Sequence, residues 1–270
     1  MKTVAEALRH ARELGLDRLD AQLLLAHLLG QNRAWLISHD DAPLTPEQAA
    51  TLAQQFTERA AGMPLAYLVG FKEFHGLRLR VTADTLVPRP DTEVLVDWAL
   101  ELLADKVAPR VVDLGTGSGA IALAVKHGCP TAGVLATDIS QAALDIARAN
   151  AQRLALDTAF AQGAWWAALP GQRFDLILSN PPYIAGGDPH LPALRHEPAL
   201  ALTPGGDGLG ALREIIEGAA SHMAPGAWLL LEHGCNQAEA VQAALRSQGF
   251  EGIATRRDLG GQPRCTGAHR

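Results

Sequence analysis

From Arg110 onward the chain alternates short apolar segments with segments of helical periodicity, and this alternation limits the possible folds more than any other feature of the sequence. The first unit is the run Val111-Val112-Asp113-Leu114, a turn with three glycines, and a helix that begins near Ala120. Further strands are predicted at residues 133–137, 158–162, 174–179 and 227–232. Repeated strand–helix units require a parallel sheet with right-handed crossovers and helices on both faces. The sequence therefore predicts an α/β fold with a doubly wound, mostly parallel sheet.

The two ends of the chain depart from this alternation. Residues 1–70 contain several helix-start signals, and Thr45-Pro46-Glu47-Gln48 combines an N-cap, a first-turn proline and a capping-box glutamine. We therefore expect a small N-terminal helical bundle, which packs against another protein or against the rest of the chain. Near the C-terminus, two short strands follow a helix predicted at 236–248 with no helix between them, which favours an antiparallel hairpin at the sheet edge.

Residues 71–90 are predicted to link these regions. Residues 73–81 alternate like a β-hairpin that turns at His75-Gly76, so His75 is expected to be a turn residue rather than a catalytic one. The expected organisation is a helical domain at 1–70, a β-hairpin linker at 71–90 and an α/β domain at 91–270.

Composition excludes several classes of protein. The chain of 270 residues has a formal net charge of −6, which argues against an extensive nucleic-acid-binding surface. It has no apolar stretch near the roughly 20 residues of a membrane span. Its three cysteines are far apart and in no Cys-x-x-Cys pair, and His190, His196 and His233 share no ligand spacing. We expect a cytoplasmic, monomeric protein with reduced cysteines and without a metal or a membrane anchor.

The glycine turn is a predicted cofactor loop. Gly115, Gly117 and Gly119 let the backbone turn sharply and allow a ligand to lie against it. Asp138 ends the next strand, where its carboxylate can bind two vicinal ribose hydroxyls. A dinucleotide is the competing ligand, but its fingerprint is Gly-x-Gly-x-x-Gly. The negative Asp113 beside the loop also suits an ammonium group better than a pyrophosphate. These features favour S-adenosyl-L-methionine (SAM).

A second motif, Asn180-Pro181-Pro182-Tyr183, directly follows the strand at 174–179. Neither proline has an amide hydrogen for the sheet, so the strand must end in a rigid corner. The Asn180 side-chain oxygen and the Pro181 carbonyl can accept the two hydrogens of an N–H₂ group while Tyr183 covers its face. The alternative interpretation is a proline-rich turn with a core tyrosine.

The combination of motifs resembles one family. Residues 111–119 are similar to the SAM loop of Rossmann-like methyltransferases, and residues 180–183 to the catalytic motif of those that methylate amide or exocyclic amino nitrogens. Further matching segments are 64–70, 86–93, Glu197-Pro198, 205–209 and Leu231-Glu232-His233-Gly234. Together they resemble the release factor glutamine methyltransferases (the PrmC/HemK family) over nearly the whole chain.

The resemblance implies a Rossmann-like SAM methyltransferase domain at 91–270 and an N-terminal domain that docks release factors. It implies SAM contacts for Gly115, Thr116, Gly117, Ser118, Gly119, Asp138, Trp165 and Asn180. It also implies substrate contacts for Asn180, Pro181, Pro182 and Tyr183, of which Asn180, Pro181 and Tyr183 are catalytic. The chain departs from the family at Ala164, where an acidic residue usually precedes the aromatic that lies near adenine.

The implied reaction methylates the glutamine side-chain amide in the Gly-Gly-Gln motif of bacterial class 1 peptide chain release factors, with S-adenosyl-L-homocysteine as the second product. No stable nucleic-acid binding is implied. Two other functions remain open from the motifs alone: an adenine-N6 nucleic-acid methyltransferase, and a SAM-binding module without catalysis. The segment 184–210 is expected to be a long irregular rim over the substrate, with Glu197 and Asp207 fixing the loop.

Overall fold

The computed structural model describes residues 1–270, which divide into two compact units, Met1–Phe71 and Lys72–Arg270. The first unit contains helices α1 (Val4–Glu13), α2 (Arg18–Leu29), α3 (Arg33–Ser38), α4 (Pro46–Ala60) and α5 (Leu65–Val69). Thr45 and Gln48 form the predicted capping box at the start of α4. Leu24, Leu25 and Phe56 are among the fully buried residues of its core. The expected helical bundle is confirmed.

Strands β1 (Phe71–Phe74) and β2 (Leu77–Arg80) form a two-stranded sheet. The turn between them is His75-Gly76, and both residues have positive φ, at 48° and 75°. The His75 backbone N–H donates to Glu93 Oε1 at 2.9 Å, and its ring pairs with Asp97. His75 is therefore a turn residue, as the sequence predicts.

The second unit is built on a seven-stranded sheet with the order β5-β4-β3-β6-β7-β9-β8. Its strands are β3 (Arg110–Leu114), β4 (Gly133–Asp138), β5 (Ala159–Gln162), β6 (Phe174–Ser179), β7 (Met223–Glu232), β8 (Glu251–Arg257) and β9 (Pro263–His269). β3 to β7 pair in parallel, whereas β9 is antiparallel to both β7 and β8. The predicted mostly parallel α/β sheet with an antiparallel C-terminal hairpin is confirmed.

Helices cover both faces of this sheet because successive strand residues point to opposite sides. The helices of this unit are α6 (Glu93–Leu103), α7 (Ala120–Gly128), α8 (Gln141–Leu154), α9 (Ala199–Leu202), α10 (Gly210–Ala219) and α11 (Ala238–Ser247). Val111 packs in one buried cluster with α6 and α7, and Val112 packs in the other with α10 and α11. None of the helices is both long enough and apolar enough to cross a membrane.

The segment 184–210 differs from the expected irregular rim. It contains a 3-10 helix at Leu191–Leu194 and the short helix α9. Glu197 lies between them and accepts hydrogen bonds from the Val87 backbone N–H at 3.1 Å and from the Arg89 guanidinium. Glu197 therefore fixes the segment against residues 87–89, as expected. The prediction that the segment lacks regular structure was wrong.

Candidate active site

The two predicted motifs begin at the carboxyl ends of adjacent parallel strands. Leu114, the last residue of β3, pairs with Ser179, the last residue of β6. The Ser179 hydroxyl also donates to the Leu114 carbonyl at 2.7 Å. The glycine loop after β3 and the proline corner after β6 therefore start side by side.

The loop at 115–119 depends on its glycines. Gly115, Gly117 and Gly119 have φ values of 73°, 55° and 86°, a region that other residues rarely adopt. At Gly119 space is also short, since a Cβ would lie 3.1 Å from Leu123 Cδ1 and 3.2 Å from Ala147 Cβ. A side chain at Gly119 would press on Leu123 of α7 and Ala147 of α8, which would have to shift by a few tenths of an ångström.

Asp113 is fully buried beneath the loop. Its Oδ2 accepts from the Thr116 hydroxyl at 2.6 Å and from the Ala122 backbone N–H at 3.2 Å. Its Oδ1 has no hydrogen-bond partner, and burial raises the pKa of this carboxyl to about 7. Asp113 thus ties the loop to the first turn of α7; the interpretation that its charge suits an ammonium group stays a prediction.

Asp138 ends β4 on the other side of the loop. Its Oδ2 accepts from the Gly117 backbone N–H and its Oδ1 from the Ser140 backbone N–H, both at 2.9 Å. Burial raises the pKa of Asp138 above its ordinary value, against the lowering effect of these bonds. Each carboxylate oxygen has a second lone pair, so Asp138 can accept further hydrogen bonds from a ligand.

Trp165 follows β5 in a backbone conformation that is unusual for a bulky residue, with φ at 42°. Its ring lies against the glycine loop, because a Cβ on Gly115 would be 3.3 Å from Trp165 Cζ3. Trp166 has a different environment: its Nε1 donates to the Glu214 carbonyl at 3.2 Å and its ring stacks on His222. Of the two tryptophans, only Trp165 lines the cavity described next.

One cavity of about 570 Å³ brings most of the predicted site residues together. It is lined by Gly115, Thr116, Gly117, Ser118, Asp138, Trp165, Asn180 and Pro182, among others. Gly119 and Pro181 are not part of this lining. Tyr183 is not part of it either, and lines a neighbouring cavity of about 80 Å³ that Asn180 also lines. Asn180 therefore stands between the two cavities.

The corner at 180–183 is held by side chains from other parts of the fold. Asn180 Nδ2 donates to the Thr92 hydroxyl oxygen at 3.2 Å, and the amide oxygen Oδ1 can accept a further hydrogen bond. The Tyr183 hydroxyl donates to Glu232 Oε1 at 3.1 Å, and burial together with Glu232 raises the pKa of Tyr183 above its ordinary value. The Tyr183 carbonyl accepts from Gln237 Nε2 at 2.9 Å.

Comparison with known proteins identifies the family. Residues 1–70 match the PrmC N-terminal domain, and residues 92–214 match the methyltransferase small domain. The release factor glutamine methyltransferase of Bordetella pertussis is 51% identical over 94% of this chain and 96% of its own length. The chain belongs to the release factor glutamine methyltransferase family.

Other similarities agree with this family membership. The release factor glutamine methyltransferase of Xylella fastidiosa (strain Temecula1) is 50% identical over 93% of this chain and 92% of its own length. The crystal structure of a methyltransferase from Pyrococcus furiosus superposes with a TM-score of 0.56 and 18% identity, covering 72% of this chain and 89% of that one. At that identity the superposition shows a shared methyltransferase fold.

Sequence reasoning missed several residues that shape the site in this release factor glutamine methyltransferase family member. Thr92, Glu232 and Gln237 contact the corner, and Arg89 lines both cavities. Three of these four lie in segments that already carried the family resemblance, 86–93 and 231–234. That resemblance was the available signal, but it did not say what the side chains contact.

Proposed function

We propose that this chain transfers a methyl group from S-adenosyl-L-methionine to the side-chain amide nitrogen of the glutamine in the Gly-Gly-Gln motif of class 1 peptide chain release factors. The observation that carries the proposal is the single cavity that joins the glycine loop to Asn180, in a member of this enzyme family. One end of that cavity suits a nucleoside and the other an amide.

The residues at the loop fit SAM. Asp138 has lone pairs for the two ribose hydroxyls, Trp165 offers an aromatic face for the adenine, and Gly115 to Ser118 leave space for the methionine part. Ala164 brings no carboxylate to this wall, so adenine is bound there by its face and by the backbone. When bound, the cofactor supplies an electrophilic sulfonium methyl group and leaves as S-adenosyl-L-homocysteine.

The corner orients the amide nucleophile. An amide nitrogen shares its lone pair with its carbonyl and is a poor nucleophile, and an ordinary carboxylate is too weak a base to deprotonate it. Asn180 Oδ1 and the Pro181 carbonyl each accept one N–H of the substrate amide. These two bonds fix the plane of the amide, so that the nitrogen lone pair, which is perpendicular to that plane, faces the methyl donor. Such positioning can lower a barrier by about 7–11 kcal/mol.

Tyr183 completes the amide site. Its hydroxyl is held by Glu232, so the orientation of the ring is fixed before substrate binds. The ring shields the amide from water, and its π face favours the positive charge that grows on nitrogen during transfer. The proton of the methylated amide then leaves to solvent, and no base is required.

The first unit supplies the contact with the protein substrate. Residues 1–70 match a domain of this family in particular, rather than of methyltransferases in general. We assign them to docking of the release factor by a monomeric enzyme in the cytoplasm. The net charge of −6 argues against stable binding of nucleic acid.

The test is incubation of the full chain with SAM and a purified class 1 release factor, followed by peptide mass spectrometry. The expected product carries one methyl group on the Gly-Gly-Gln glutamine. A release factor with glutamate in place of that glutamine is the matched control and should gain no methyl group. Absence of the methyl group, or methylation of adenine in duplex DNA assayed in parallel, would overturn the proposal.

A further inference from the structure

Glu214 brings a carboxylate to the cavity that joins the glycine loop to Asn180. The acidic residues that line this cavity are Asp84, Asp138 and Glu214. Asp84 accepts from the Thr82 hydroxyl at 3.0 Å, and Asp138 accepts from two backbone N–H groups. The Glu214 side chain is exposed, and its carboxylate has no hydrogen bond or ion pair within the protein. All of its acceptor capacity is therefore available to a ligand.

The face of α10 that lines the cavity offers a ligand one polar side chain. Gly210, Ala211 and Glu214 are the residues of α10 in the lining, and positions three and four apart lie on the same face of a helix. Gly210 and Ala211 have no side-chain atoms beyond Cβ, so a ligand can approach the helix closely. The group that it meets there is the Glu214 carboxylate.

This part of α10 lies against the 3-10 helix Trp165–Ala168. Trp166 Nε1 donates to the Glu214 carbonyl at 3.2 Å, and a Cβ on Gly218 would collide with the Trp166 ring. Trp165, at the start of the same 3-10 helix, lines the cavity and offers the aromatic face proposed for adenine. The backbone of Glu214 is thus tied to the element that carries the proposed adenine site.

The edge of adenine needs such an acceptor. Its exocyclic amino group donates hydrogen bonds, whereas its ring nitrogens accept them. Ala164, beside Trp165 in the lining, can offer this edge only its backbone. An ionised carboxylate only accepts hydrogen bonds, and its charge makes them stronger than neutral ones. It would attract the amino group of adenine and repel the carbonyl oxygen that hypoxanthine carries at the same position.

We propose that Glu214 is a cofactor-binding residue that accepts a hydrogen bond from the amino group of the adenine and thereby selects adenine against 6-oxopurines. It supplies from α10 the carboxylate that Ala164 lacks. This inference rests on the proposed function only in taking SAM as the cofactor, and it is independent of the protein substrate.

The experiment is calorimetric titration of the full chain with S-adenosyl-L-homocysteine and with S-inosyl-L-homocysteine. Wild type should bind the adenosyl ligand at least about tenfold more tightly. Glu214→Ala should weaken the adenosyl ligand about tenfold and the inosyl ligand little. Glu214→Gln, whose amide can also donate to an oxygen, should reduce the preference to about threefold or less. Glu217→Gln, at the next acidic residue of α10, exposed and outside the cavity lining, is the matched control and should keep the wild-type preference.

A third ligand, 5′-methylthioadenosine, separates the base from the ammonium group, because it has no amino acid part. Glu214→Ala should weaken it by the same factor as S-adenosyl-L-homocysteine. A loss of affinity confined to S-adenosyl-L-homocysteine would place Glu214 at the ammonium group and overturn the proposal. Equal affinity of wild type for the adenosyl and inosyl ligands, or an undiminished preference in Glu214→Gln, also overturns it.

The variants should fold, because the Glu214 carboxylate makes no contact on which the fold depends, and equal melting temperatures without ligand check this. Binding of S-adenosyl-L-homocysteine by wild type tests the proposed cofactor separately. An unaltered base preference in the variants therefore counts against Glu214 alone and leaves the proposed function standing.

Discussion

The cofactor loop and the proline corner start at neighbouring strands and both lie over a buried carboxylate, yet they are held in different ways. Asp113 beneath the loop bonds to Thr116 and Ala122, which are close to it in sequence. Glu232 behind the corner bonds to Tyr183, which is 49 positions away. Each carboxylate keeps one oxygen without a partner.

This difference shows two ways to build a site at one sheet edge. The loop gets its shape from its own backbone, through glycines with positive φ and short-range hydrogen bonds. The corner gets rigidity from prolines but orientation from distant side chains, Thr92, Glu232 and Gln237. Substitutions in the loop should therefore affect cofactor binding, and substitutions around the corner should affect turnover.

The largest expected effect is at Asn180. Asn180→Ala removes the proposed acceptor for the substrate amide, so turnover should fall on the order of a hundredfold or more, by analogy with loss of one transition-state hydrogen bond. SAM affinity should fall far less, because the loop stays intact. Methyl transfer to release factor and calorimetric SAM titration measure the two quantities. Unchanged turnover would remove the corner from the mechanism.

The next largest effect is expected at Asp113, the carboxylate beneath the loop, and it concerns the free energy of unfolding. The pKa of Asp113 is raised from 3.8 to about 7 in the folded chain. The folded protein therefore binds more protons than the unfolded chain between these values, and the free energy of unfolding falls as pH rises through them. Asp113→Asn should make this decline shallower by up to about 1.4 kcal/mol per pH unit.

Urea unfolding at a series of pH values between 4 and 8 measures this slope. Asp145→Asn is the control, because Asp145 is an exposed carboxylate of α8 that pairs only with its neighbours on the helix. The decline should be the same in this control as in wild type. An equally steep decline in Asp113→Asn would contradict the prediction.

Gly117→Ala tests whether the loop acts by its backbone alone. A Cβ there meets nothing within 4 Å, but φ is 55°, so the variant adds strain of about 1–2 kcal/mol without a clash. Gly171→Ala is matched, since Gly171 has φ of 68° and open space but lies outside the cavity. Both should lower the melting temperature, and only Gly117→Ala should weaken SAM binding, about tenfold. Equal SAM affinities in the two variants would contradict the prediction that the backbone of the loop at 115–119 shapes the cofactor site.

The smallest effect is expected at Gln237, whose amide bridges the Tyr183 carbonyl and the Gly234 backbone N–H. Gln237→Leu removes both bonds, and kcat should fall about fivefold, the equivalent of about 1 kcal/mol for one hydrogen bond. SAM affinity should not change. A loss confined to SAM binding would show that the two regions are not separable in this way.

The parts of the fold that were predicted from sequence are those with local signals. Apolar strands, glycine turns and capping boxes each act within a few residues, so the sheet, its antiparallel hairpin and the glycine loop followed from the residues themselves. The short helices within 184–210 did not, because a helix of four residues has almost no stability of its own and forms only by packing.

The sequence predicted the motif at 180–183 but not the hydrogen bonds that connect it to distant side chains. Asn180 meets Thr92 across 88 positions, and no pattern in either segment encodes that contact. Asp113 is instructive in another way. Its charge is evident from the sequence, whereas its complete burial and its bonds to Thr116 and Ala122 are evident only in the folded chain.

The pairing of Leu114 with Ser179 has a consequence for engineering. The loop proposed to bind the methyl donor and the corner proposed to bind its acceptor follow adjacent strands, whose spacing of about 4.8 Å is a constant of β-sheets. Redesign of the segments above the sheet can change which protein enters, but no side-chain substitution widens this gap. A bulkier alkyl group on a cofactor analogue would therefore have to be accommodated on the side of the cavity toward Trp165 or the short helices, and not between the two motifs.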